Sequence, residues 1–312
     1  MRISFSKFKD RIWFAFDAGS RRLVTAPRPI RSAVYRLIQG LLLALYYVPN
    51  SPLRRTSHSF SAVIGKGPPR RLHADFSRNF VIGLERMEFL RNGPLDKIDA
   101  LLRIPEQDRL DALLEKGGVL MAMPHCQATV LSVRCLASRY PTLMIVRTTA
   151  KKSRADAQWT YYEKLGCEVV DVRRNSEAKV AREVLRAIRA GKIVIGVVDR
   201  LNETPPASDP VNKVKDTVRV KAFGQPVGVP GWPVRFAAKC RVPVLPVMVE
   251  QTHDALTFHI GAEITGDEMV ATTQRWFDVL EDFIRTYPSD WLFLYDKHWA
   301  KCLKNAEQDL KK

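Results

Sequence analysis

Cysteine is scarce in this sequence, and its spacing excludes two classes of protein. The 312 residues contain five cysteines, an odd number, and no two of them form a Cys-x-x-Cys pair. A disulfide framework needs paired cysteines and a structural zinc site needs closely spaced ones, so we expect neither. This cysteine usage is typical of a reducing compartment.

Long apolar runs are missing as well. The stretch LIQGLLLALYYV at 37–48 is uncharged and mostly apolar. As a helix, such a stretch spans about 18 Å, whereas a transmembrane helix needs ~20 residues. It also starts late and has no small-residue cleavage site after it. The sequence therefore predicts neither a membrane-spanning helix nor a cleaved leader.

Acidic residues are rare in the first quarter of the chain. Residues 1–75 contain 14 Lys and Arg but only three Asp and Glu, so +11 of the net charge of +17 lies there. Such a concentration of positive charge indicates an anionic partner, either nucleic acid or the cytoplasmic face of a membrane. Because no nucleic-acid-binding motif accompanies the charge, we expect membrane lipids to be the partner, and no nucleic acid.

Two segments could attach the chain to a membrane. One is the 37–48 stretch, and the other precedes it as a set of apolar residues at helical spacing among basic ones: Phe5, Phe8, Ile12 and Phe16. A basic amphipathic helix with aromatic anchors typically lies in the headgroup plane, although it can also pack on its own domain. We predict a membrane-anchoring region over 1–50, a basic, Ser-rich connector over 51–75 and an α/β domain over 76–312.

Beyond residue 76, amphipathic helices alternate with short apolar runs. The segment at 176–190 reads as a helix, and several runs read as buried strands: VLMAMP, LMIV, EVVDV, IVIGVVD and VPVLPVMV. Continuous β-branched runs between helices are typical of strands covered on both faces. The pattern predicts an α/β fold with a mostly parallel central sheet flanked by helices.

Three polar residues follow these predicted strands. His125 comes after VLMAMP, Arg147 after LMIV, and Asp199 ends IVIGVVD. Ligands gather at the carboxyl ends of the strands in such sheets, so the three residues form a candidate site. Each also has a structural interpretation. His125 could be a histidine whose hydrogen bonds serve only the fold, Arg147 could belong to a surface ion pair, and Asp199 could cap a turn.

A glycine-rich segment, FGQPVGVPG at 223–231, is a second candidate. It contains Phe223, Gly224 and Gly228, and its glycines could bring backbone amides close to a phosphate. Turn geometry alone would also account for them. Since no Lys-Ser/Thr pair follows, the segment is not a nucleotide P-loop.

The order of these features resembles a known family. Besides the strands and the glycine-rich segment, the chain has YVPNSPLRR, RNFVIGLERMEFL, GGVLMAMPH, LMIVRTT and, near its end, YPSDWLFLYDKHW. Together they resemble the lysophospholipid acyltransferase superfamily, and within it the lipid A late acyltransferases, which transfer lauroyl and myristoyl groups. The resemblance runs from about Tyr35 to Trp299.

The resemblance implies a function and a location. It implies transfer of a fatty acyl group from acyl-carrier protein or acyl-CoA to a hydroxyl of a lipid or glycolipid, by default of the lipid A type. It also implies anchoring on the cytoplasmic face of an inner membrane, with no cofactor and no metal.

The family's catalytic pair is His-x4-Asp/Glu, and here the pair is incomplete. His125 matches the histidine, but Val130 stands at the acid position, and none of the other five histidines has an acid five residues on. A general base of this kind needs a partner that fixes its tautomer, which valine cannot do.

The sequence leaves several answers open. A carboxylate from another strand end, Asp199 or Glu250, could orient His125, or Gln127, Thr129 or a backbone carbonyl could do so weakly. Gln127 and Thr129 are also candidates for substrate contact. Cys126 could open a covalent route, although cysteine is often a small buried residue. Alternatively, the protein binds lipid on the same scaffold without catalysis. A carboxylate oxygen within hydrogen-bond reach of the His125 ring would favour the first answer.

Overall fold

The computed structural model describes residues 18–19 and 22–312. The predicted amphipathic helix around Phe5, Phe8, Ile12 and Phe16 lies outside these residues.

Ten strands form two sheets in the described part of the chain. In chain order they are β1 (Leu102–Arg103), β2 (Val119–Met123), β3 (Thr142–Val146), β4 (Glu168–Asp171), β5 (Ile193–Val197), β6 (Val211–Asn212), β7 (Thr217–Ala222), β8 (Gln225–Pro230), β9 (Val244–Gln251) and β10 (Leu256–Ile260). The central sheet has seven strands in the order β1-β10-β9-β2-β5-β3-β4. All neighbours in it are parallel except β9 and β10.

Helices cover this sheet. They are α1 (Arg28–Tyr47), α2 (Pro52–Ile64), α3 (Pro69–Asn92), α4 (Leu95–Asp99), α5 (Gln107–Lys116), α6 (Thr129–Ala137), α7 (Lys152–Tyr162), α8 (Glu177–Arg189), α9 (Trp232–Cys240), α10 (Met269–Thr286) and α11 (Lys297–Asp309). Two 3₁₀ turns, Pro288–Asp290 and Leu292–Tyr295, lie between α10 and α11. The expected α/β fold with a mostly parallel, helix-flanked sheet is confirmed.

The central strands show why the sequence pattern predicted this architecture. Every residue of β2 and of β3 is buried, because helices cover both faces of the sheet. The helix predicted at 176–190 is α8, whose Val184 and Ile188 are buried and whose Ser176 side chain accepts a hydrogen bond from the Lys179 amide. Such an N-terminal cap defines where the helix begins.

The segment at 51–75, expected to be a connector, is helical over most of its length. It forms α2 and the first turns of α3. Phe60 is fully buried, and the small hydroxyl residues around it face inward as well: Thr56, Ser57, Ser59 and Ser61. Serine is common in loops, but here its small size lets α2 pack closely on α11.

A three-stranded antiparallel sheet, β6-β7-β8, had no counterpart in the sequence interpretation. It lies between β5 and α9 in the chain and contains most of the glycine-rich segment. The alternating apolar and polar residues of β7 (TVRVKA) are a signal that the sequence interpretation missed, whereas β6 is only two residues long.

Helix α1 has one face on the protein and one in solvent. Tyr35 and Tyr46 are buried, whereas Leu37, Leu41 and Leu45 are 64%, 59% and 48% exposed. Among the described residues, no helix combines the length and the apolar character that crossing a bilayer requires.

Candidate active site

The sheet order brings three strand ends together at one edge. Strand β5 lies between β2 and β3, with neighbouring strands about 4.8 Å apart. His125 follows β2 by two residues, Asp199 follows β5 by two, and Arg147 follows β3 directly. The three residues singled out from the sequence therefore share the carboxyl edge of the sheet.

His125 and Asp199 form a close pair. The His125 Nδ1 atom lies 2.5 Å from Asp199 Oδ1, and the His125 backbone amide donates to Asp199 Oδ2 over 3.0 Å. Asp199 is completely buried, whereas the His125 side chain is 25% exposed. A carboxylate accepts the Nδ1 proton, which leaves Nε2 as the ring nitrogen that can accept a proton.

Two tryptophans hold Asp199 in place. The Trp291 Nε1–H donates to Asp199 Oδ2 over 2.8 Å, and the Trp299 Nε1–H donates to the Asp199 carbonyl over 2.7 Å. Both indoles are fully buried. A buried carboxylate is costly unless its oxygens accept hydrogen bonds, so the Trp291 donor stabilises the charge that faces His125, while Trp299 fixes the Asp199 backbone.

The 3₁₀ turn at Leu292–Tyr295 fixes the histidine from the other side. The Phe293 ring stacks on the His125 ring with centroids 3.8 Å apart and planes 12° from parallel. The Leu292 amide donates to the His125 carbonyl over 2.7 Å. Carboxylate, backbone and stacked ring together leave the imidazole one orientation.

In the loop after His125, Thr129 and the Gln127 backbone bond to other described residues, and the Gln127 side-chain nitrogen does not. Thr129 Oγ1 accepts from the Cys126 amide over 2.8 Å and donates to the Cys126 carbonyl over 3.0 Å, so this hydroxyl closes the turn into α6. The Gln127 amide donates to the Asp290 carbonyl over 2.9 Å. Within the described part of the chain, the buried Gln127 Nε2 has no hydrogen-bond partner, which leaves it a free donor on the loop that follows His125.

Cys126 is a poor candidate for covalent chemistry. It is 2% exposed, and its Sγ lies 3.4 Å from the Pro124 carbonyl oxygen. Burial raises the pKa of this thiol, so it stays protonated and packs as a small apolar group.

The other acid considered for His125 has a different partner. Glu250 Oε2 lies 3.1 Å from His259 Nε2, and the His259 ring stacks on Tyr287. Val130, at the acid position of the family motif, is the second residue of α6 and packs against the core. Of these three positions, Asp199 supplies the carboxylate oxygen within reach of the His125 ring.

Arg147 lies in a cationic environment. It is exposed, and its pKa is lowered by burial of part of the side chain and then by the charges of Arg200 and Arg173. Arg200 follows Asp199, and Arg173 lies two residues beyond the end of β4. Three arginines from successive strand ends repel one another, and an anion bound among them would relieve that repulsion.

The glycine-rich segment serves the small antiparallel sheet. Phe223 and Gly224, with φ of +50° and +77°, form the two-residue turn between β7 and β8. Gly228 lies within β8, where an added Cβ would come within 2.6 Å of the Glu203 carbonyl oxygen. These glycines therefore satisfy turn and packing requirements. The Phe223 ring lies behind the site, 6.2 Å from the Trp291 ring.

Sequence reasoning missed the roles of Trp291 and Phe293. The segment YPSDWLFLYDKHW stands out in the sequence as a whole, so a signal is present, but nothing in it indicates which side chains reach Asp199 and His125. Among the described residues, no cluster of three or more His, Cys, Asp and Glu could hold a metal ion.

One comparison with known families finds a match. The family model described as bacterial lipid A biosynthesis acyltransferase matches residues 78–300, which include His125, Asp199 and Trp291. No curated protein matches the chain.

Proposed function

The chain belongs to the bacterial lipid A biosynthesis acyltransferase family and is an acyltransferase, and from this premise we propose that its donor is acyl-carrier protein or acyl-CoA. The acceptor is a hydroxyl of a lipid A-type glycolipid, His125 is the general base, and Asp199 replaces the acid that Val130 cannot supply. The observation that carries this proposal is the 2.5 Å contact between His125 Nδ1 and Asp199 Oδ1.

The reaction needs one proton to move twice. His125 Nε2 takes the proton of the acceptor hydroxyl as its oxygen attacks the thioester carbonyl. The tetrahedral intermediate then collapses, the carbon–sulfur bond breaks, and the imidazolium returns the proton to the departing thiolate. Asp199 stabilises the imidazolium between these steps, and the Trp291 hydrogen bond keeps the carboxylate aimed at Nδ1.

Substrate contacts follow from the groups around the base. Gln127 Nε2, without a partner among the described residues, is a donor for an oxygen of the substrate, such as the thioester oxygen as it gains charge. Arg147, with Arg173 and Arg200, binds an anionic group of the acceptor, most simply a phosphate. The remaining candidates from the sequence do not contact the substrate in this scheme and instead stabilise the turns and packing around the site: Thr129, Phe223, Gly224 and Gly228.

We also propose that α1 rests on the cytoplasmic face of the inner membrane. Leu37, Leu41 and Leu45 recur every four residues and present one apolar face to the outside, and the N-terminal quarter carries +11. Each leucine contributes roughly 1.5–3 kcal/mol when fully buried in an apolar phase. Hydrophobic insertion and attraction to anionic lipid then act together.

The catalytic assignment is tested with a matched pair of histidine variants. His125→Ala should abolish transfer of a radiolabelled acyl group from acyl-carrier protein or acyl-CoA to a lipid A precursor. His259→Ala removes another partly buried histidine that contacts a carboxylate and should keep most of the activity. Equal activity in wild type and His125→Ala would refute the mechanism. Lipid binding without turnover in the wild type would favour the alternative, a non-catalytic lipid-binding protein.

Membrane attachment has its own test. Since α1 also buries Tyr35 and Tyr46, point substitutions on its exposed face are cleaner than a deletion. Replacing Leu37, Leu41 and Leu45 by serine should reduce co-sedimentation with vesicles of anionic phospholipid. Val214→Ser, at an apolar residue that is 92% exposed elsewhere, is the control. Undiminished sedimentation of the triple variant would show that α1 is not the attachment surface.

A further inference from the structure

A buried chain of hydrogen bonds connects α1 to the turn that carries Phe293. His73, on α3, is 2% exposed. Its Nε2 lies 3.0 Å from the Leu42 carbonyl oxygen of α1, and its Nδ1 lies 2.8 Å from the Tyr295 hydroxyl. The Tyr295 hydroxyl also contacts Ser57 Oγ on α2, at 2.9 Å. One imidazole thus joins three parts of the chain.

The direction of each hydrogen bond follows from chemistry. Burial lowers the pKa of His73, so its ring is neutral near pH 7 and carries one proton. A carbonyl oxygen only accepts, which places that proton on Nε2, facing Leu42. Nδ1 is then an acceptor, and the Tyr295 hydroxyl must donate to it.

Tyr295 lies two residues from Phe293 in the same 3₁₀ turn. The Tyr295 ring is wedged edge-on against Phe76, with centroids 4.8 Å apart, while its hydroxyl is fixed by His73. The turn is not part of either sheet. The Leu292 amide, bonded to the His125 carbonyl, fixes the start of the turn through the backbone, and side chains at both ends of the turn hold it as well. One such anchor is Trp291, just before the turn and bonded to Asp199, and the other is Tyr295 at its far end.

We propose that His73 and Tyr295 are positioning residues, whose hydrogen bond holds the 3₁₀ turn so that Phe293 stacks on His125. This inference rests on the proposed role of His125 as the base. Neither residue touches the reacting atoms in this scheme; each acts through the Phe293 ring. Because Leu42 belongs to α1, the same imidazole makes the helix proposed to face the membrane and the site-bearing turn one hydrogen-bonded unit.

Tyr295→Phe is the sharpest perturbation, since it removes one oxygen and keeps the ring. Its matched control is Ser59→Ala, which removes another buried hydroxyl of the same region, one that donates to Glu307 over 2.7 Å instead of to the turn. At similar thermal stability, Tyr295→Phe should lower kcat about tenfold with little change in KM, as expected for a misplaced base. Ser59→Ala should leave kcat within about twofold of the wild type.

A second pair of variants tests the histidine itself. His73→Gln supplies an amide that can donate to the Leu42 carbonyl and accept from Tyr295, whereas His73→Phe can do neither. Glutamine should therefore recover most of the kcat that phenylalanine loses. Equal loss in both variants, at equal stability, would assign His73 to packing alone.

An NMR measurement tests the positioning without relying on turnover. A ring stacked face to face on Phe293 has its proton resonances shifted upfield, and selective histidine labelling with His125→Ala and Phe293→Leu identifies that signal. Tyr295→Phe should move it toward the position of an unstacked histidine, and Ser59→Ala should not. The inference is overturned if the His125 ring signal in Tyr295→Phe keeps the full upfield shift that it has in the wild type. If the shift behaves as expected while the wild type transfers no acyl group, the proposed function fails and the positioning stands.

Discussion

Replacing Asp199 by asparagine keeps the shape of the side chain but changes which nitrogen of His125 carries the proton. The Oδ2 position receives two donors, the His125 amide and the Trp291 indole. Only the oxygen of an asparagine amide can accept them, so its NH₂ group must face His125 Nδ1. Nδ1 then becomes an acceptor, the ring proton moves to Nε2, and the nitrogen that should act as the base is occupied.

The size of the effect follows from this change of tautomer. Loss of the orienting carboxylate in a Ser-His-Asp triad costs on the order of 10⁴ in kcat, or about 5.5 kcal/mol of transition-state stabilisation. The Phe293 stack still holds the ring and the Leu292 hydrogen bond still holds the His125 backbone, so the tautomer accounts for the loss. We expect Asp199→Asn to lower kcat by about 10³ to 10⁴ while KM changes little.

The assay follows acyl transfer under saturating donor, with ¹⁵N NMR of the histidine rings to identify the tautomer. Asp171→Asn is the matched control, because Asp171 is also a buried carboxylate at a strand end and is bonded to Thr148 instead of His125. Its kcat should stay close to that of the wild type. The reasoning is refuted if Asp199→Asn keeps more than about a tenth of the wild-type kcat, or if its His125 still carries the proton on Nδ1.

Three further substitutions have defined outcomes. Val130→Glu should give no gain in acyl transfer, because Asp199 already occupies Nδ1, and a rise in kcat would contradict that. Arg147→Lys should raise KM for a phosphorylated acceptor about tenfold, the loss of one of two charged hydrogen bonds; a large fall in Tm would assign Arg147 to the fold. Burial raises the pKa of Asp290 from 3.8 to about 7, so the folded state binds this proton more tightly and stability falls as pH rises through that window. Asp290→Asn should remove that loss of stability, which is worth up to about 4 kcal/mol above pH 7. If the wild type and Asp290→Asn unfold at the same urea concentration at pH 8, the prediction is wrong.

The parallel sheet could be predicted because its strands have a strong local signal. Runs such as VLMAM and TLMIV are apolar at nearly every position, as expected of a strand covered on both faces. His125 and Asp199 then followed from a rule of topology, since strand ends of one parallel sheet meet at one edge. Their pairing needed one fact that no local pattern contains, namely that β5 is the neighbour of β2.

The groups around the pair lacked such a signal. Trp291 and Phe293 come from a region of 3₁₀ turns with no periodicity, and their contacts depend on how the last part of the chain returns to the sheet. Helix α2 was hidden by its serines, whose small side chains pack inward. Glu250 and Asp199 looked equivalent as strand-end acids in the sequence, and the structure separates them by their partners: Asp199 contacts His125 and Glu250 contacts His259.

The Asp199 hydrogen bond to Trp291 joins residues 92 positions apart in the chain. Because synthesis proceeds from the N-terminus, β2 and β5 are made long before the Trp291 indole that donates to the Asp199 carboxylate. A chain whose synthesis stops before Trp291 would contain both His125 and Asp199, with Asp199 lacking its indole donors and His125 lacking its stacked ring. The proposed site is thus completed late in translation, and premature termination would yield chains that contain His125 and Asp199 without the aromatic groups that orient them.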